Sequence, residues 1–82
     1  MSRLLHQPVA VRCDRHGLPL SFRWRRSSRE IQEILDSWLE VGSWWQGEKP
    51  KAFFQVRTGA GGCYTLYQEL PNGEWYLYRI ED

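Results

Sequence analysis

The sequence contains no apolar run long enough to cross a membrane or to form the core of a secretory signal. No stretch approaches the ~20 apolar residues of a membrane-spanning helix. Near the start, Leu4 and Leu5 are apolar, but residues 1–7 lack the run of about 7–15 apolar residues that a signal requires. We therefore expect a cytoplasmic protein that does not enter a membrane. Cysteine is scarce as well, and Cys13 and Cys63 are expected to be reduced in the cytosol.

Motifs of metal binding and of catalysis are also missing from the sequence. Cys13 and His16 have a spacing that zinc ligands can have, but Cys63 and His6 are solitary, whereas structural zinc sites present paired ligands. No hydrolase motif surrounds either cysteine. The glycine-rich residues 59–62 lack the following lysine and helix of a phosphate-binding loop. We predict no enzymatic activity, no catalytic residue, no metal site and no cofactor.

Acidic residues are nearly absent from the first part of the chain. Through Arg29 there are seven arginines and one acidic residue, Asp14, whereas from Glu30 onward four basic residues face nine acidic ones. Such asymmetry concerns partners and association rather than the fold. Two interpretations are open: strand pairing mixes the two parts and cancels the asymmetry, or the arginines form a binding surface.

Aromatic residues, in contrast, are abundant for so short a chain. With 82 residues there is room for one domain, and a domain of this size buries only about 60% of its unfolded surface. Aromatic residues make up 15% of the chain, including five tryptophans. Because each buried ring removes on the order of 150–250 Å² from water, a small core suffices.

Apolar residues alternate with polar ones over residues 9–13 and 18–25, which is typical of half-buried β-strands. Further aromatic runs of strand type lie at 53–57, 63–67 and 75–80, and turn-like sequences lie at 14–17, 58–62 and 71–74. Among the turns, Asn72-Gly73 between two aromatic runs is the strongest hairpin signal.

These patterns predict an all-β fold, an antiparallel meander of five or six strands rolled into a small SH3-like barrel. We assign residues 8–82 to this single small β domain and residues 1–7 to an N-terminal tail. The side chains expected to be buried together are Leu20, Phe22, Trp24, Leu35, Phe54, Val56 and Leu77.

Residues 27–42 give conflicting local signals. Ser27 and Glu30 resemble a helix capping box. The apolar residues Ile31, Ile34, Leu35, Trp38 and Leu39 fall at helical spacing. Local propensity alone would therefore place a helix at 28–41 and make the fold α+β.

Several aromatic motifs together resemble a known bacterial family. They are Phe22-Arg23-Trp24, Leu35-Asp36-Ser37-Trp38, Gly42-Ser43-Trp44-Trp45, residues 53–57 and residues 75–79. The chain is similar over residues 8–82 to short domains of unknown function that occur alone or at the C-terminal end of Y-family-polymerase-like accessory proteins of damage-induced mutagenesis. The resemblance implies a long strand through Leu35 to Trp38 and no established site residue. Because tertiary context overrides propensity, we predict a strand in this segment.

Arginines and aromatic residues form the constellation that points to a function. Arg12, Arg23, Arg25 and Arg26 fall on or beside the first predicted hairpin, and strand alternation directs Arg12, Arg23 and Arg25 to solvent. Guanidinium groups bind phosphate and stack on bases. The predicted stacking platforms are Trp44, Trp45, Tyr76 and Tyr78. We predict a non-catalytic nucleic-acid-binding or docking module with single-stranded nucleic acid as partner, which the resemblance would make accessory to DNA repair or translesion synthesis.

The alternative is a protein–protein interaction module that does not bind nucleic acid. Trp44 and Trp45 lie in a loop bounded by Gly42 and Gly47. They could line an aromatic groove, and an open sheet edge could accept an added strand. The partner would then be a protein of a DNA polymerase or repair assembly. The sequence leaves this choice open.

Overall fold

The computed structural model describes residues 2–59, 61–70 and 72–81, and within them the chain forms seven β-strands and no α-helix. The strands are β1 (Ser2–Pro8), β2 (Ala10–Cys13), β3 (Pro19–Trp24), β4 (Ser27–Glu40), β5 (Lys51–Thr58), β6 (Cys63–Glu69) and β7 (Glu74–Glu81), with a short 3-10 turn at Trp44–Gln46. The all-β prediction is confirmed, but the strands number seven rather than five or six. No helix of these residues is long and apolar enough to cross a membrane.

The strands form one antiparallel sheet in the order β1-β7-β6-β5-β4-β3-β2. Strand β4 connects its two parts, because Ser27–Glu30 pairs with β3 whereas the rest of β4 pairs with β5. The sheet curls at this strand, so that Phe22 of β3 meets Tyr64 of β6 with ring centroids 5.1 Å apart. The pairings described leave β1 and β2 as edges. The result is a curled half-barrel rather than the predicted SH3-like barrel.

The strand prediction for residues 27–42 is confirmed by β4, and the helix alternative is wrong. The register of β4 against β5 shifts twice, once between Ile31 and Glu33 and once between Ile34 and Asp36. Each shift is a β-bulge that inserts one extra residue. Inward positions therefore fall at Ile31, Ile34 and Ser37, three residues apart. The bulges thus place two apolar side chains, Ile31 and Ile34, against the core at a spacing of three residues, which also occurs in helices.

The core lies on one side of the sheet, which we call the inner face. Its buried residues are Phe22, Trp24, Val56, Tyr64, Leu66, Trp75 and Leu77, with Phe54 among the partly buried side chains packed against them. The prediction that Leu20 and Leu35 are buried in the core is wrong, because Leu20 is 41% and Leu35 is 43% exposed. Both lie where the register shifts, so neither has a cross-strand partner and strict alternation fails at each.

The predicted turn at 14–17 is present and is closed by its aspartate. Asp14 Oδ1 accepts hydrogen bonds from the backbone N–H groups of His16, at 2.8 Å, and Leu18, at 3.0 Å. The flanking strands of the hairpins at 58–62 and 71–74 pair as predicted, although residues 60 and 71 lie outside the described chain.

A further turn was not predicted from the sequence. Trp24 pairs with Ser27, and between them Arg25 and Arg26 have φ values of 51° and 66°. Two successive positive φ values are those of a type I′ turn, which usually contains Asn-Gly. Arginine gives no sequence signal for it.

Candidate functional site

The side of β4–β7 opposite the core, which we call the outer face, carries aromatic side chains. An antiparallel sheet with one covered face ordinarily presents polar residues on the other. Here Trp38, Phe53, Tyr67 and Tyr76 lie directly opposite one another in register, one on each of four neighbouring strands. Alternation places them outside because their chain neighbours, such as Leu66 and Leu77, face the core.

Ring contacts connect these four side chains into a row. Trp38 stacks on Phe53 with centroids 5.3 Å apart and an interplanar angle of 2°. The centroids of Phe53 and Tyr67 are 5.2 Å apart, and Tyr67 stacks on Tyr76 at 5.0 Å. These separations lie within the 4.5–7 Å range in which aromatic pairs attract one another.

Two more rings widen the row. Tyr78 lies 5.3 Å from Phe53 and 5.9 Å from Tyr67, edge to face in both cases. His6 of β1 lies 4.9 Å from Tyr78. We call the six rings together the aromatic layer; its members are His6, Trp38, Phe53, Tyr67, Tyr76 and Tyr78.

The centre of the aromatic layer is buried and its rim is open to solvent. Phe53 is 4% and Tyr67 is 5% exposed, and the rings of Trp38, Tyr76 and Tyr78 pack against them. Trp38 at one end of the row is 40% exposed, and Tyr76 and Tyr78 are partly exposed. The outer face therefore offers aromatic surface on a rigid sheet.

The aromatic layer is surrounded by more carboxylates than cations. The register places six carboxylates, Glu33, Asp36, Glu40, Glu69, Glu74 and Glu81, and three cations, Lys51, Arg57 and Arg79, on the outer face. Arg57 pairs with Glu33 at 2.5 Å, and Arg79 pairs with Glu81 at 3.5 Å. The outer face thus has a negative surplus.

Cations that belong to the chain already lie over rings of the aromatic layer. Lys51 Nζ is 5.9 Å from the centroid of Tyr67, and the Arg79 guanidinium carbon is 5.7 Å from that of Tyr78. Both distances are those of cation–π contacts. The layer therefore accommodates cationic groups.

One tyrosine of the aromatic layer, Tyr76, forms a hydrogen bond with one of the surrounding carboxylates. The Tyr76 hydroxyl donates a hydrogen bond of 3.0 Å to Glu74 Oε2. Loss of the proton would break this bond and place a phenolate beside a carboxylate, which raises the pKa of Tyr76 to about 12. Burial raises the pKa of Tyr67 as well. Both hydroxyls stay protonated at neutral pH.

The four predicted arginines lie elsewhere. Arg12 and Arg23 are exposed on β2 and β3, and Arg25 and Arg26 form the type I′ turn. Arg25 is therefore not on the strand face of Arg23; its guanidinium carbon lies 5.2 Å from the Trp24 ring centroid instead. None of the four forms an ion pair with a residue that the structure describes.

The predicted platforms and arginines are not brought together. Tyr76 and Tyr78 belong to the aromatic layer, and over residues 2–59, 61–70 and 72–81 no cation–ring contact joins them to the predicted arginines. Trp45 is 68% exposed in the loop after β4. The side chain of Trp44 lies outside the described part of the chain.

The other rings of the layer, His6, Trp38, Phe53 and Tyr67, were missed by sequence reasoning. A signal for two of them, Phe53 and Tyr67, exists, since Phe53-Phe54 and Tyr64 to Tyr67 are apolar on both strand faces. Such runs indicate a strand whose outer face is also apolar.

The cysteines and histidines do not assemble into a cluster. In the described part of the chain there is no group of three or more His, Cys, Asp or Glu side chains placed to hold a metal ion. Burial raises the pKa of the Cys13 thiol. That thiol is therefore protonated at neutral pH.

The fold and this face define a small all-β domain, an open half-barrel with an aromatic outer sheet face. The chain belongs to the family described as Domain of unknown function (DUF6504), which matches residues 1–82. The family covers the whole chain, including the segment before residue 8. Neither a curated protein nor a solved structure matches the chain.

Proposed function

We propose that the chain is a non-catalytic docking module whose aromatic layer binds a positively charged segment of a partner protein. The observation that carries the proposal is the aromatic outer face itself. Contiguous exposed apolar surface on a folded domain marks an interaction site, and rigid aromatic side chains contribute much of the binding free energy at such sites. Trp38, at 40% exposure, is the most accessible ring of the row.

The charge of the outer face selects the chemistry of the partner. Six carboxylates and three cations surround the layer, so a polyanion would meet repulsion there, whereas arginine or lysine side chains would meet attraction. Contacts of Lys51 with Tyr67 and of Arg79 with Tyr78 illustrate the interaction that a partner arginine could make with Trp38.

The sequence resemblance suggests where such a partner belongs. The resemblance implies relatives at the C-terminal end of Y-family-polymerase-like accessory proteins, and on this basis we propose a partner in a DNA polymerase or repair assembly. This assignment of the partner rests on the resemblance to the family and not on the geometry of the outer face.

Calorimetric titration with two designed peptides tests the docking function. One peptide alternates arginine with glycine and serine, and the other carries glutamate at each arginine position. We expect the arginine peptide to bind and the glutamate peptide not to bind. Trp38→Ala should weaken binding about tenfold, a loss of roughly 1.4 kcal/mol that one cation–π contact can explain.

Leu35→Ala is the matched control, because Leu35 is similarly exposed at 43% but lies at a bulge outside the aromatic layer. It should leave the affinity unchanged. The outer face is not the docking surface if the arginine and glutamate peptides bind equally well. The same conclusion follows if Trp38→Ala and Leu35→Ala lose the same amount of affinity for the arginine peptide.

The four arginines favour a second candidate function, the binding of single-stranded nucleic acid at the β2–β3 hairpin and the type I′ turn. All four are exposed, and among the described residues none is neutralised by an ion pair. Guanidinium groups in this state are available to phosphates.

Salt-dependent titration with labelled oligothymidine tests this second candidate. In the double variant Arg23→Glu, Arg25→Glu, affinity should fall, and the slope of log affinity against log salt should decrease by about 0.7 for each lost phosphate contact. Trp38→Ala serves as the control and should not change oligothymidine binding. If the wild-type protein fails to bind at low salt, nucleic acid is excluded as the partner.

A further inference from the structure

The later part of strand β4 has an open edge. Ser27–Glu30 pairs with β3, whereas the later pairs of β4, from Ile31 to Glu40, are with β5 alone among the described residues. A strand that is paired on one side presents unpaired backbone N–H and C=O groups on the other, and these form a template for pairing with another chain. We call the stretch Asp36–Glu40, where the register with β5 is regular, the open edge.

A hydrogen bond on the far side of β5 shows which way the backbone groups of β4 point. The Leu70 N–H donates to the Pro50 carbonyl at 3.1 Å, in continuation of the unbroken register between β5 and β6. Because successive residues of a strand bond to opposite sides, even-numbered residues of β5 bond to β6, and odd-numbered ones, including Phe53, bond to β4. Phe53 pairs with Trp38, so the backbone groups of Trp38 point to β5.

Ser37 and Leu39, the chain neighbours of Trp38, therefore direct their backbone groups to the open edge. A second hydrogen bond agrees with this direction, since the Ser37 N–H donates to Asp36 Oδ1 at 2.8 Å rather than to a carbonyl of β5. The carboxylate thus occupies a donor that an added strand would otherwise use. A cation on that strand would attract the carboxylate and release the N–H.

The ring of Trp38 also faces the open edge. Phe53 covers one face of this ring from β5, with centroids 5.3 Å apart and an interplanar angle of 2°. The other face is directed away from β5, and the residue is 40% exposed. Since neighbouring strands lie about 4.7–4.9 Å apart, a side chain opposite Trp38 on an added strand would lie against this free face. On the other side of the strand, Leu39 is 60% exposed and offers an apolar contact.

The charge of the open edge selects a basic strand. Asp36 and Glu40 lie on the outer face with Trp38, and neither forms an ion pair with a described residue. From Glu30 to Glu48 the sequence contains no lysine, arginine or histidine. A second copy of the chain would bring the same carboxylates to the shared edge, and like charges opposite one another destabilise strand pairing. Basic side chains in the same positions would be attracted.

We propose that an extended segment of a partner protein, in which basic and apolar residues alternate, adds to the open edge as an antiparallel strand. Its basic side chains lie on the outer face, where one stacks on Trp38 and others meet Asp36 and Glu40. Its apolar side chains pack beside Leu39. Antiparallel pairing continues the arrangement of the sheet and is slightly more stable per residue than parallel pairing. The inference rests on the proposed docking function and specifies the conformation of the partner.

Hydrogen exchange of the wild-type protein, with and without a peptide in which arginine alternates with valine, tests the proposal. The Leu39 N–H points to the open edge, whereas the Trp38 N–H points to β5, so Leu39 should exchange faster in the free protein. The peptide should slow exchange at Leu39 by about tenfold or more relative to Trp38. If exchange at Leu39 is not slowed at saturating peptide, no strand adds at this edge.

Two methylated peptides distinguish strand addition from contacts of side chains alone. In the antiparallel arrangement, the arginine opposite Trp38 directs its backbone groups away from β4, and the valines direct theirs to the open edge. N-Methylation of the valines should weaken binding about tenfold or more, whereas the same number of methyl groups on the arginines should leave the affinity nearly unchanged. Equal affinities of the two methylated peptides, or a loss confined to the methylated arginines, would overturn antiparallel strand addition.

Failure of this proposal can be told apart from failure of the docking function. If the unmethylated peptide binds and Trp38→Ala weakens it, but both methylated peptides bind equally well, the docking function stands and strand addition fails. If the unmethylated peptide does not bind, both fail. Sedimentation of the wild-type protein alone should show a monomer. A dimer in which Leu39 is protected from exchange without peptide would make a second copy the occupant and overturn the proposal.

Discussion

At the scale of single residues, the two faces of the sheet place similar rings in different settings. Trp24 is 8% exposed on the inner face, within the core cluster, whereas Trp38 is 40% exposed at the end of the aromatic layer. Buried rings contribute mainly to stability, while rings at an accessible rim are available for binding. Burial, rather than residue type, separates the two roles.

This difference predicts unequal costs of two tryptophan substitutions. Trp24→Ala removes a core ring and should lower the free energy of unfolding by about 3–5 kcal/mol. Trp38→Ala removes a half-exposed ring and should cost roughly 1–2 kcal/mol. Urea denaturation of the wild-type protein and both variants measures the two changes in the free energy of unfolding. A Trp24→Ala protein as stable as Trp38→Ala would show that the core is wrongly assigned.

A second residue-scale prediction concerns the hydrogen bond between Tyr76 and Glu74. Glu74→Gln removes the carboxylate that raises the pKa of Tyr76 to about 12, so that pKa should fall toward the ordinary value of 10.0. Because the folded-state pKa is raised, this bond stabilises the fold fully below pH 10 and is lost as pH rises through 12. Absorbance or NMR titration of the tyrosines measures the shift. A Tyr76 pKa that does not change in Glu74→Gln would contradict the assigned cause.

At the scale of elements, strand alternation predicts the fold well until a bulge interrupts it. Alternation correctly placed Phe22, Trp24, Val56 and Leu77 in the core. Each misplaced core residue lies at a register shift, where one extra residue reverses the pattern. Bulges depend on pairing with a neighbouring strand, so a single sequence gives no sign of them.

Strand β4 shows the limit of local propensity. Its sequence has the capping residues and apolar spacing of a helix, yet it forms a 14-residue strand. Pairing with β3 along one part and with β5 along the other holds this segment in an extended conformation, and tertiary context overrides propensity. The resemblance to a family predicted this strand, whereas local pattern alone did not.

The type I′ turn between β3 and β4 contains two arginines whose backbone strain can be measured. Arg25 and Arg26 both occupy the left-handed region of backbone conformation. This conformation costs a residue other than glycine roughly 1–2 kcal/mol of folding free energy, because its Cβ atom lies too close to the backbone. Replacing the pair by Asn-Gly, the preferred type I′ sequence, should raise the free energy of unfolding by about 1 kcal/mol. Thermal and urea denaturation measure the change.

Arg23→Asn is the control for the turn, because Arg23 lies in β3 where asparagine is unfavourable. It should lower stability slightly. If Asn-Gly at the turn destabilises the protein, the arginines must make contacts that outweigh their backbone strain.

At the scale of the whole molecule, the arginines of β2, β3 and the turn after β3 remain apart from the carboxylates of the outer face. The sheet order places β2 and β3 at one end, so that Arg12, Arg23, Arg25 and Arg26 stay apart from the outer face of β4–β7. Of the two interpretations that the sequence leaves open, separation of charge therefore describes these elements better than cancellation.

The candidate site was predictable only in part. Tyr76 and Tyr78 were named as interaction aromatics from the sequence, but Trp38 and Phe53 join them only through the register of β4, β5 and β7. The carboxylates around the aromatic layer also depend on register, since they come from three strands, β4, β6 and β7. Side chains that meet across a sheet cannot be grouped until the strand order is known.

The central claim is that the aromatic layer is the docking surface, and NMR titration with the arginine peptide tests it most directly. The account predicts shifts of the Trp38 indole N–H and the ring resonances of Tyr76 and Tyr78, while the indole signals of the core residues Trp24 and Trp75 stay in place. Shifts confined to the β2–β3 hairpin, or no shift at Trp38 at saturating peptide, would contradict it.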